Sequence, residues 1–377
     1  MFLNKNPLTS LDIIIPSFRV NPEFILRIMR LKSPTDLSRK IILVIDNPNI
    51  EIPSELIEFE DDDFQILVNE ENLGAGGSRN RGIESSTSEW LLFLDDDIIP
   101  EEDLLFTYFK KMQLYDGKSP GFVGITQFPS PDNSFTYGME NSGLLNFFTL
   151  PKRLDHVTWG ATSNLLVNRN AVGNKRFGRH FPKAGGGEDI DFCFNISTDY
   201  EFNLTSASDA IVHHPWWNES KRSYRRSMRW GFSDTMLPSL YSKHSWRDIP
   251  NSIELLFLST LILIPLAILG YVDLTEAIVP AISILLGEFI FEWLSSCLTR
   301  KSYNPLLSIE TSIVKMTFAF GGLCYILSSA RVGLFCKRFD YGYPDFSKER
   351  FRSNSFRFLM QVCITVIILY NSFQVWF

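Results

Sequence analysis

Cysteine is scarce and unorganised in this chain. Five occur in 377 residues, at positions 193, 297, 324, 336 and 363, with no Cys-x-x-Cys pair. That excludes a thiolate zinc site and a disulfide framework, and free thiols fit a reducing compartment. Basic excess is also missing. Lys and Arg number 36 against 43 Asp and Glu, a net charge of −7, which argues against nucleic acid as a partner. Neither a Walker loop nor a dinucleotide fingerprint is present. The opening residues, Met1 to Pro7, lack the long apolar core of a signal peptide, so the N-terminal part is expected in the cytosol.

What the chain does have is unevenly spread. Residues 1–250 carry 26 Lys and Arg against 34 Asp and Glu, while residues 251–377 carry 10 against 9 and hold nearly all the long apolar runs. This splits the sequence into an acidic domain over 1–235, an interfacial connector over 236–252 and a membrane domain over 253–377. Four apolar stretches follow one another in the last part: Leu255 to Val272, Leu274 to Leu298, Ser312 to Phe335 and Phe358 to Phe377. A bilayer core of ~30 Å needs about 20 such residues. Glu288, near the middle of the second stretch, should face protein or water, because a central charge costs about 2.5–3.5 kcal/mol on insertion. The positive-inside rule also wants the basic 337–352 loop on the cytosolic side. A single crossing by the third stretch would put it outside. We therefore expect the third stretch to be re-entrant or interfacial, with Gly321-Gly322 as its break.

The acidic part reads as alternating strands and helices. Leu11 to Pro16, Ile41 to Ile45, Ile66 to Val68 and Leu91 to Leu94 are short apolar or β-branched runs, and Glu23 to Leu31 has helical spacing. Such alternation implies parallel βαβ units. The first strand ends in Pro16-Ser17-Phe18-Arg19 and the second in Asp46-Asn47. A glycine-rich stretch runs from Asn72 and Gly74 through Arg79 to Gly82. The fourth strand drives into Asp95-Asp96-Asp97. Three adjacent carboxylates do not all ionise cheaply without a counter-charge. A divalent cation would supply one, at the strand ends where open α/β sheets bind ligands. The alternative is a solvated acidic turn before a helix over Glu102 to Leu114. A strand over Gly121 to Ile125 comes next, then a loop over 126–155, then a strand entered through the small-residue turn of Val157-Thr158-Trp159-Gly160-Ala161.

A second acidic centre follows at Gly185-Gly186-Gly187-Glu188-Asp189-Ile190-Asp191. Its carboxylates open a helix, where the dipole favours them, so they are either caps or functional groups. His213 and His214 end a strand before Pro215-Trp216-Trp217. Lys221, Arg222, Arg225, Arg226 and Arg229 fall on one face of a helix, a solvated or lipid-facing surface.

The order and spacing of the strand ends, the Asn-x-Gly-x-x-x-x-Arg-Asn-x-Gly stretch and the Asp-Asp-Asp strand resemble the nucleotide-sugar-binding half of family 2 glycosyltransferases of the GT-A fold. The resemblance covers about 100 residues. It implies an α/β fold with a mostly parallel Rossmann-like sheet, followed here by helical membrane segments. It implies that Asp95 leans toward the ribose and, with Asp97, toward a metal, and that Asp96 belongs to the nucleotide-sugar site. Pro16, Ser17, Phe18, Arg19, Asp46 and Asn47 would edge the base. Asn72, Gly74 and Arg79 would line the nucleotide-sugar site, and Trp159 and Gly160 the donor-sugar pocket. Asp189, with Glu188 beside it, would be the general base for the acceptor hydroxyl. Like charges would raise its pKa and the helix dipole would lower it. His214, or alternatively His213, would complete a site for Mn²⁺ or Mg²⁺. Arg226, Arg229 and Trp230 are similar to the Gln-x-x-Arg-Trp motif that clamps diphosphate and acceptor in membrane synthases, with Arg in place of Gln.

The reading is a plasma-membrane, multi-pass, metal-dependent and inverting glycosyltransferase with its catalytic domain in the cytosol. A nucleotide sugar, a UDP sugar first, would be its donor, and a lipid-linked sugar or glycan its acceptor. A processive polysaccharide synthase is the runner-up. A non-catalytic membrane scaffold or sensor is the alternative outside enzymology.

Overall fold

A computed structural model describes residues 9–59 and 61–375. The opening residues read for a signal peptide lie outside the described residues, as do the last two of the fourth apolar stretch. In chain order the elements are β1 (Thr9–Ser17), α1 (Pro22–Met29), β2 (Leu37–Ile45), β3 (Phe64–Val68), α2 (Gly74–Ser85), β4 (Trp90–Leu94), β5 (Ile99–Pro100), α3 (Leu104–Gln113), β6 (Gly121–Gln127), α4 (Ser134–Asn141), β7 (His156–Val157), β8 (Asn164–Asn168), α5 (Glu188–Ser197), β9 (Leu204–His213), α6 (Arg225–Asp234), β10 (Ser245–Arg247), α7 (Ser252–Ile268), α8 (Leu274–Arg300), α9 (Pro305–Ser328), β11 (Lys337–Phe339) and α10 (Pro344–Val375), with single-turn helices between some of them. Two compact units form. One runs to Ser130 and includes Leu145–Glu219; the other joins Pro131–Leu144 to the chain from Ser220 onward.

In the first unit a nine-stranded sheet has the order β3-β2-β1-β4-β8-β6-β9-β5, with β7 on β9. Strands β3, β2, β1 and β4 are mutually parallel. β8 inserts antiparallel between β4 and β6. The apolar runs of β1, β2 and β4 are buried on both faces: Ile13, Ile14, Leu43, Val44, Leu91, Leu92 and Phe93 are fully inaccessible, as parallel strands covered by helices require. Register then fixes the site. Ile14 pairs with Phe93 and Ser17 with Ile45, so the polar ends of β1, β2 and β4 emerge at one sheet edge. The glycine-rich stretch is itself helix α2, and its glycines are packing devices. A Cβ on Gly82 would meet Ile14 at 2.4 Å.

The second unit is helical apart from the small β10–β11 ribbon. Three expectations are corrected here. Residues 126–155 are not a plain loop, because 134–141 form α4, which packs on α9 with Gly138 against Glu310. The basic residues 221–229 do not share one helical face. The helix starts at Arg225, and Arg222 precedes it to pair with Glu310 at 3.0 Å. Nor do Gly321 and Gly322 break α9, which runs unbroken past them. A Cβ on Gly321 would lie 1.8 Å from Met228 O, and one on Gly231 1.8 Å from Phe318 O. These glycines let the α6 and α9 backbones touch. That contact, with the Arg222–Glu310 pair, places residues 220–235 with the C-terminal helices rather than with the sheet.

The acidic residues of α8 all find protein partners. Glu276 closes a capping box with Asp273 at the helix start. Glu288, 2% exposed, accepts from Ser252 Oγ and lies 3.6 Å from Arg357. Glu292 pairs with Lys315 at 2.6 Å. Among the described residues three helical segments are long and apolar enough to cross a membrane: α8, α9 and residues 347–370 within α10. α7 is apolar but has 17 residues.

Candidate active site

The two acidic segments, nearly a hundred residues apart in sequence, converge on one side chain. Arg79 projects from α2 with its side chain 5% exposed. It donates from Nη2 to Asp95 Oδ1 at 2.9 Å and from Nη1 to Glu188 Oε1 at 3.4 Å. Its guanidinium lies 5.6 Å from the centre of the Phe177 ring. Helix α2 is placed for this by the turn before it. Gly74 takes φ +78° and its missing Cβ admits the Lys183 backbone, which a side chain would meet at 2.7 Å. Ala75 N then donates to Lys183 O at 3.1 Å. The glycine turn of the second acidic centre is thereby tied to the N-terminus of α2.

Asp46 is occupied within the chain. It accepts from Asn69 Nδ2, Leu73 N and Gly74 N at 2.7–2.8 Å. This carboxylate holds the turn into α2 and has little left for a base. Asn72 Oδ1 supports the same turn through Gly74 N. Asn47, beside them, is half-buried. Pro16 lies inside β1. Ser17 Oγ donates to Asp96 Oδ2 at 2.5 Å, and Arg19 reaches Asp97 Oδ2 at 3.4 Å. Phe18 is 49% exposed at the rim. Burial pushes the Asp96 carboxyl up to about 6. The Ser17 bond opposes that rise, and the charges of Asp97 and Asp95 add to it.

His214 and His213 part company. His213 Nε2 meets Glu101 at 2.6 Å in a half-exposed pair. His214 is buried, with Nε2 3.1 Å from Asp97 Oδ1. Its Nδ1 bonds to Pro215 O at 2.6 Å, and Trp217 Nε1 donates to Nε2 at 3.1 Å. Phe128 stacks on the ring. With the proton on Nδ1, the Nε2 lone pair accepts from Trp217, so a cation bound at Nε2 would displace that N–H. A lone pair facing a carboxylate is repulsive unless a cation or a proton lies between them. Burial works against the protonated ring, but the bond to Asp97 outweighs it and raises the pKa. Asp97 and His214 are a fitting hard-to-borderline pair for Mg²⁺ or Mn²⁺. Among the described residues no set of three His, Cys, Asp or Glu groups gathers around one point. A cation here would therefore complete its shell with ligand oxygens. Asp95, expected near both ribose and metal, is held by Arg79.

Glu188 and Asp189 also separate. Glu188 Oε2 accepts from Gly186 N at 2.5 Å while Oε1 takes Arg79, so Glu188 locks the glycine turn. Asp189, part-buried one residue on, has its carboxyl pushed up to about 7. Desolvation is the main cause, Glu188 adds to it, and Arg79 and the amide of Ile190 oppose it. Burial and the Glu188 charge therefore outweigh the Arg79 charge and the backbone amides. Trp159 is buried against Phe147, ring centres 4.4 Å apart. The space a Cβ on Gly160 would fill is taken by Val123, 2.4 Å away. Gly160 is thus a packing glycine. Arg226, Arg229 and Trp230 lie on α6 in the second unit, with Arg226 5.9 Å from the Trp230 ring centre.

Sequence reasoning missed Asn69, Lys183 and Phe128. None falls in a motif, and only the tertiary contacts single them out.

With this geometry in view, the chain can be compared with known proteins. The model of the family described as Glycosyl transferase family 2 matches residues 12–172. Glycosyltransferase AglE of Haloferax volcanii is 28% identical over 183 residues, 47% of this chain and 57% of its own. An uncharacterized glycosyltransferase of Methanocaldococcus jannaschii is 37% identical over 75 residues, 19% of this chain and 26% of its own. The chain thus spans about a quarter to under three-fifths of the length of these curated relatives. The solved mannosyltransferase PcManGT of Pyrobaculum calidifontis, in complex with GDP-Man and Mn²⁺, shares the fold. The likeness covers 83% of this chain and 86% of that one, with a TM-score of 0.52 and 14% identity.

Proposed function

From the match of residues 12–172 to the model of glycosyl transferase family 2 we propose that the chain is a membrane-anchored, inverting glycosyltransferase using a nucleotide-sugar donor. The observation that supports this best is the Arg79 bridge between Asp95 and Glu188. It brings the acidic end of β4 and the glycine turn of the second acidic centre beside Asp189, a carboxylate whose pKa is pushed up to about 7. Asp189 takes the proton from an acceptor hydroxyl as that oxygen attacks the anomeric carbon. A base is most effective when its pKa is close to working pH. Arg79 and Glu188 hold the turn that carries it. Phe18 at the rim offers a face for the base of the nucleotide. A divalent cation on Asp97 and His214 would stabilise charge on the departing diphosphate. The mannosyltransferase of the same fold was solved with Mn²⁺ and a nucleotide sugar, which favours this class of cofactor and donor. We place a UDP sugar first as donor and a lipid-linked sugar or glycan as acceptor. The purified chain in detergent, incubated with a panel of nucleotide sugars with and without Mn²⁺, tests the reading. Release of nucleoside diphosphate from one donor only, dependent on metal, is expected. Equal turnover in chelator would remove the roles of Asp97 and His214.

The second unit supports a specific membrane arrangement. Near its start α9 carries Glu310, held by Arg222 and Tyr224. Just past its end, Arg331 bonds Ser239 and Cys336 N bonds Glu254. Both ends thus contact the 222–254 segment, which runs into the first turn of the first apolar helix. α9 lies along that segment in the interface, and α7, α8 and α10 cross. Three crossings put the basic 337–352 loop inside, as the positive-inside rule wants. α7 spans only about 25 Å at 1.5 Å per residue, so the bilayer thins or its ends snorkel there. Reporter tags in the 337–352 loop are expected to read cytosolic; an extracellular signal would refute this arrangement.

A further inference from the structure

Trp217 takes no part in the sugar transfer proposed above, yet it sits on the atom that a cation needs. The other ring nitrogen of His214 fixes the chemistry. Nδ1 lies 2.6 Å from Pro215 O. A carbonyl oxygen only accepts, so Nδ1 carries the proton and Nε2 the lone pair. Trp217 Nε1 donates to that lone pair at 3.1 Å, and an indole N–H has no acceptor role to exchange for it. A cation ligated by a neutral imidazole enters along the same lone pair. One lone pair does not serve both.

The surroundings press Trp217 onto the imidazole. Its ring stands at 62° to the His214 ring, with centres 5.0 Å apart. Phe128 packs on both, 4.8 Å from Trp217 and 5.2 Å from His214 between ring centres. The chain just beyond is strained. Asn218, Glu219 and Ser220 have φ of 57°, 53° and 60°, left-handed backbone that L residues adopt at a cost. Release of Trp217 lets this turn relax, which offsets part of the lost contact. We propose that Trp217 gates the metal position: its N–H holds His214 Nε2 until a divalent cation takes that lone pair, and the indole then swings off the ring. This rests on the reading that Asp97 and His214 hold the cation. Trp217 is a positioning residue, since it acts through His214. The consequence is a lowered affinity for the cation alone, so that loading depends the more on the ligand oxygens that complete its shell.

The test reads cation binding directly in the full chain in detergent, with no donor present and no turnover. Mn²⁺ affinity is measured from the electron paramagnetic resonance signal of the free ion. Trp217→Phe keeps an aromatic ring beside Phe128 and removes the N–H. It is expected to bind Mn²⁺ about two- to tenfold more tightly, the worth of one net hydrogen bond. Replacing a residue that merely packs the site would loosen binding, so the direction separates the two roles. Mg²⁺, which does not quench fluorescence, is expected to change the tryptophan emission of the unmutated chain, and that change is expected to be absent in Trp217→Phe. His214→Ala sorts the failures. If it binds Mn²⁺ as tightly as the unmutated chain, the metal site is misread and the gate falls with it. If it binds weakly while Trp217→Phe binds no tighter than the unmutated chain, the metal site stands and the gate is wrong. An emission unaltered by saturating Mg²⁺ also overturns the gate, whether or not Trp217→Phe folds.

Discussion

Replacing Arg79 with Met probes the convergence of the two acidic segments. The substitution keeps the bulk of the side chain and removes its charge. Arg79 and Glu188 have side chains only 5% and 7% exposed, while Asp95 is 30% exposed. Removing one partner of a buried pair costs about 3–5 kcal/mol. The half-solvated Asp95 keeps this case near the lower end, so we expect a loss of about 3 kcal/mol. A second effect appears at Asp189, whose carboxyl sits near 7 with Arg79 holding it down against desolvation and Glu188. Without Arg79 it rises further, and the acid limb of the kcat/KM profile moves to higher pH. Linkage gives a third readout. The folded carboxyl has a pKa above its unfolded value, so the folded state binds more protons between about pH 4 and about pH 7. Asp189's contribution to stability therefore falls as pH rises through that window. In Arg79→Met the fall extends upward. Denaturant melts at several pH values and a pH–rate profile with the best donor measure all three. A variant with the wild-type midpoint and the wild-type acid limb would show that Asp95, Glu188 and Asp189 do not share one electrostatic site.

Three further outcomes are expected. Asp189→Asn should lower kcat by about 10²- to 10⁴-fold, the usual worth of a positioned base, with donor KM nearly unchanged; a large KM effect instead would make Asp189 a binding group. His214→Ala should raise the Mn²⁺ concentration needed for turnover, while His213→Ala, which loses only a half-exposed pair with Glu101, should not. Equal metal dependence of the two variants would undo the distinction. Gly321→Val should destabilise the second unit by about 3 kcal/mol or more, since its Cβ would meet Met228 O at 1.8 Å and overpacking of this kind is costly. A melting temperature equal to that of the parent chain would contradict the close crossing of α6 and α9.

The strands were legible before any coordinates because their signal is local. Leu91 to Leu94 and Ile41 to Ile45 are continuous apolar runs, and a buried parallel strand demands nothing else. The carboxylates that follow them were legible for the same reason, since strand ends carry the site in open α/β sheets. Partners were not. Asp46 reads as a site residue until Asn69, Leu73 and Gly74 are seen to occupy it. Glu188 and Asp189 are equivalent in a string of letters, yet one is neutralised by Arg79 and the other is left near neutrality by desolvation. His213 and His214 diverge because neighbouring residues at a strand end turn to different sides.

The glycines show the same division most clearly. In the sequence Gly321-Gly322 is a break in an apolar helix; in the fold it is the contact that lets α6 and α9 meet. The chain alone determined which segments are strands, which are apolar helices, and where acid and base are concentrated, because periodicity and composition are properties of neighbours along the chain. Tertiary structure decided which carboxylate keeps its proton near neutrality, which histidine faces Asp97, and which apolar helix packs along other helices. Those properties depend on desolvation and on distances between residues far apart in sequence, and no local pattern encodes either.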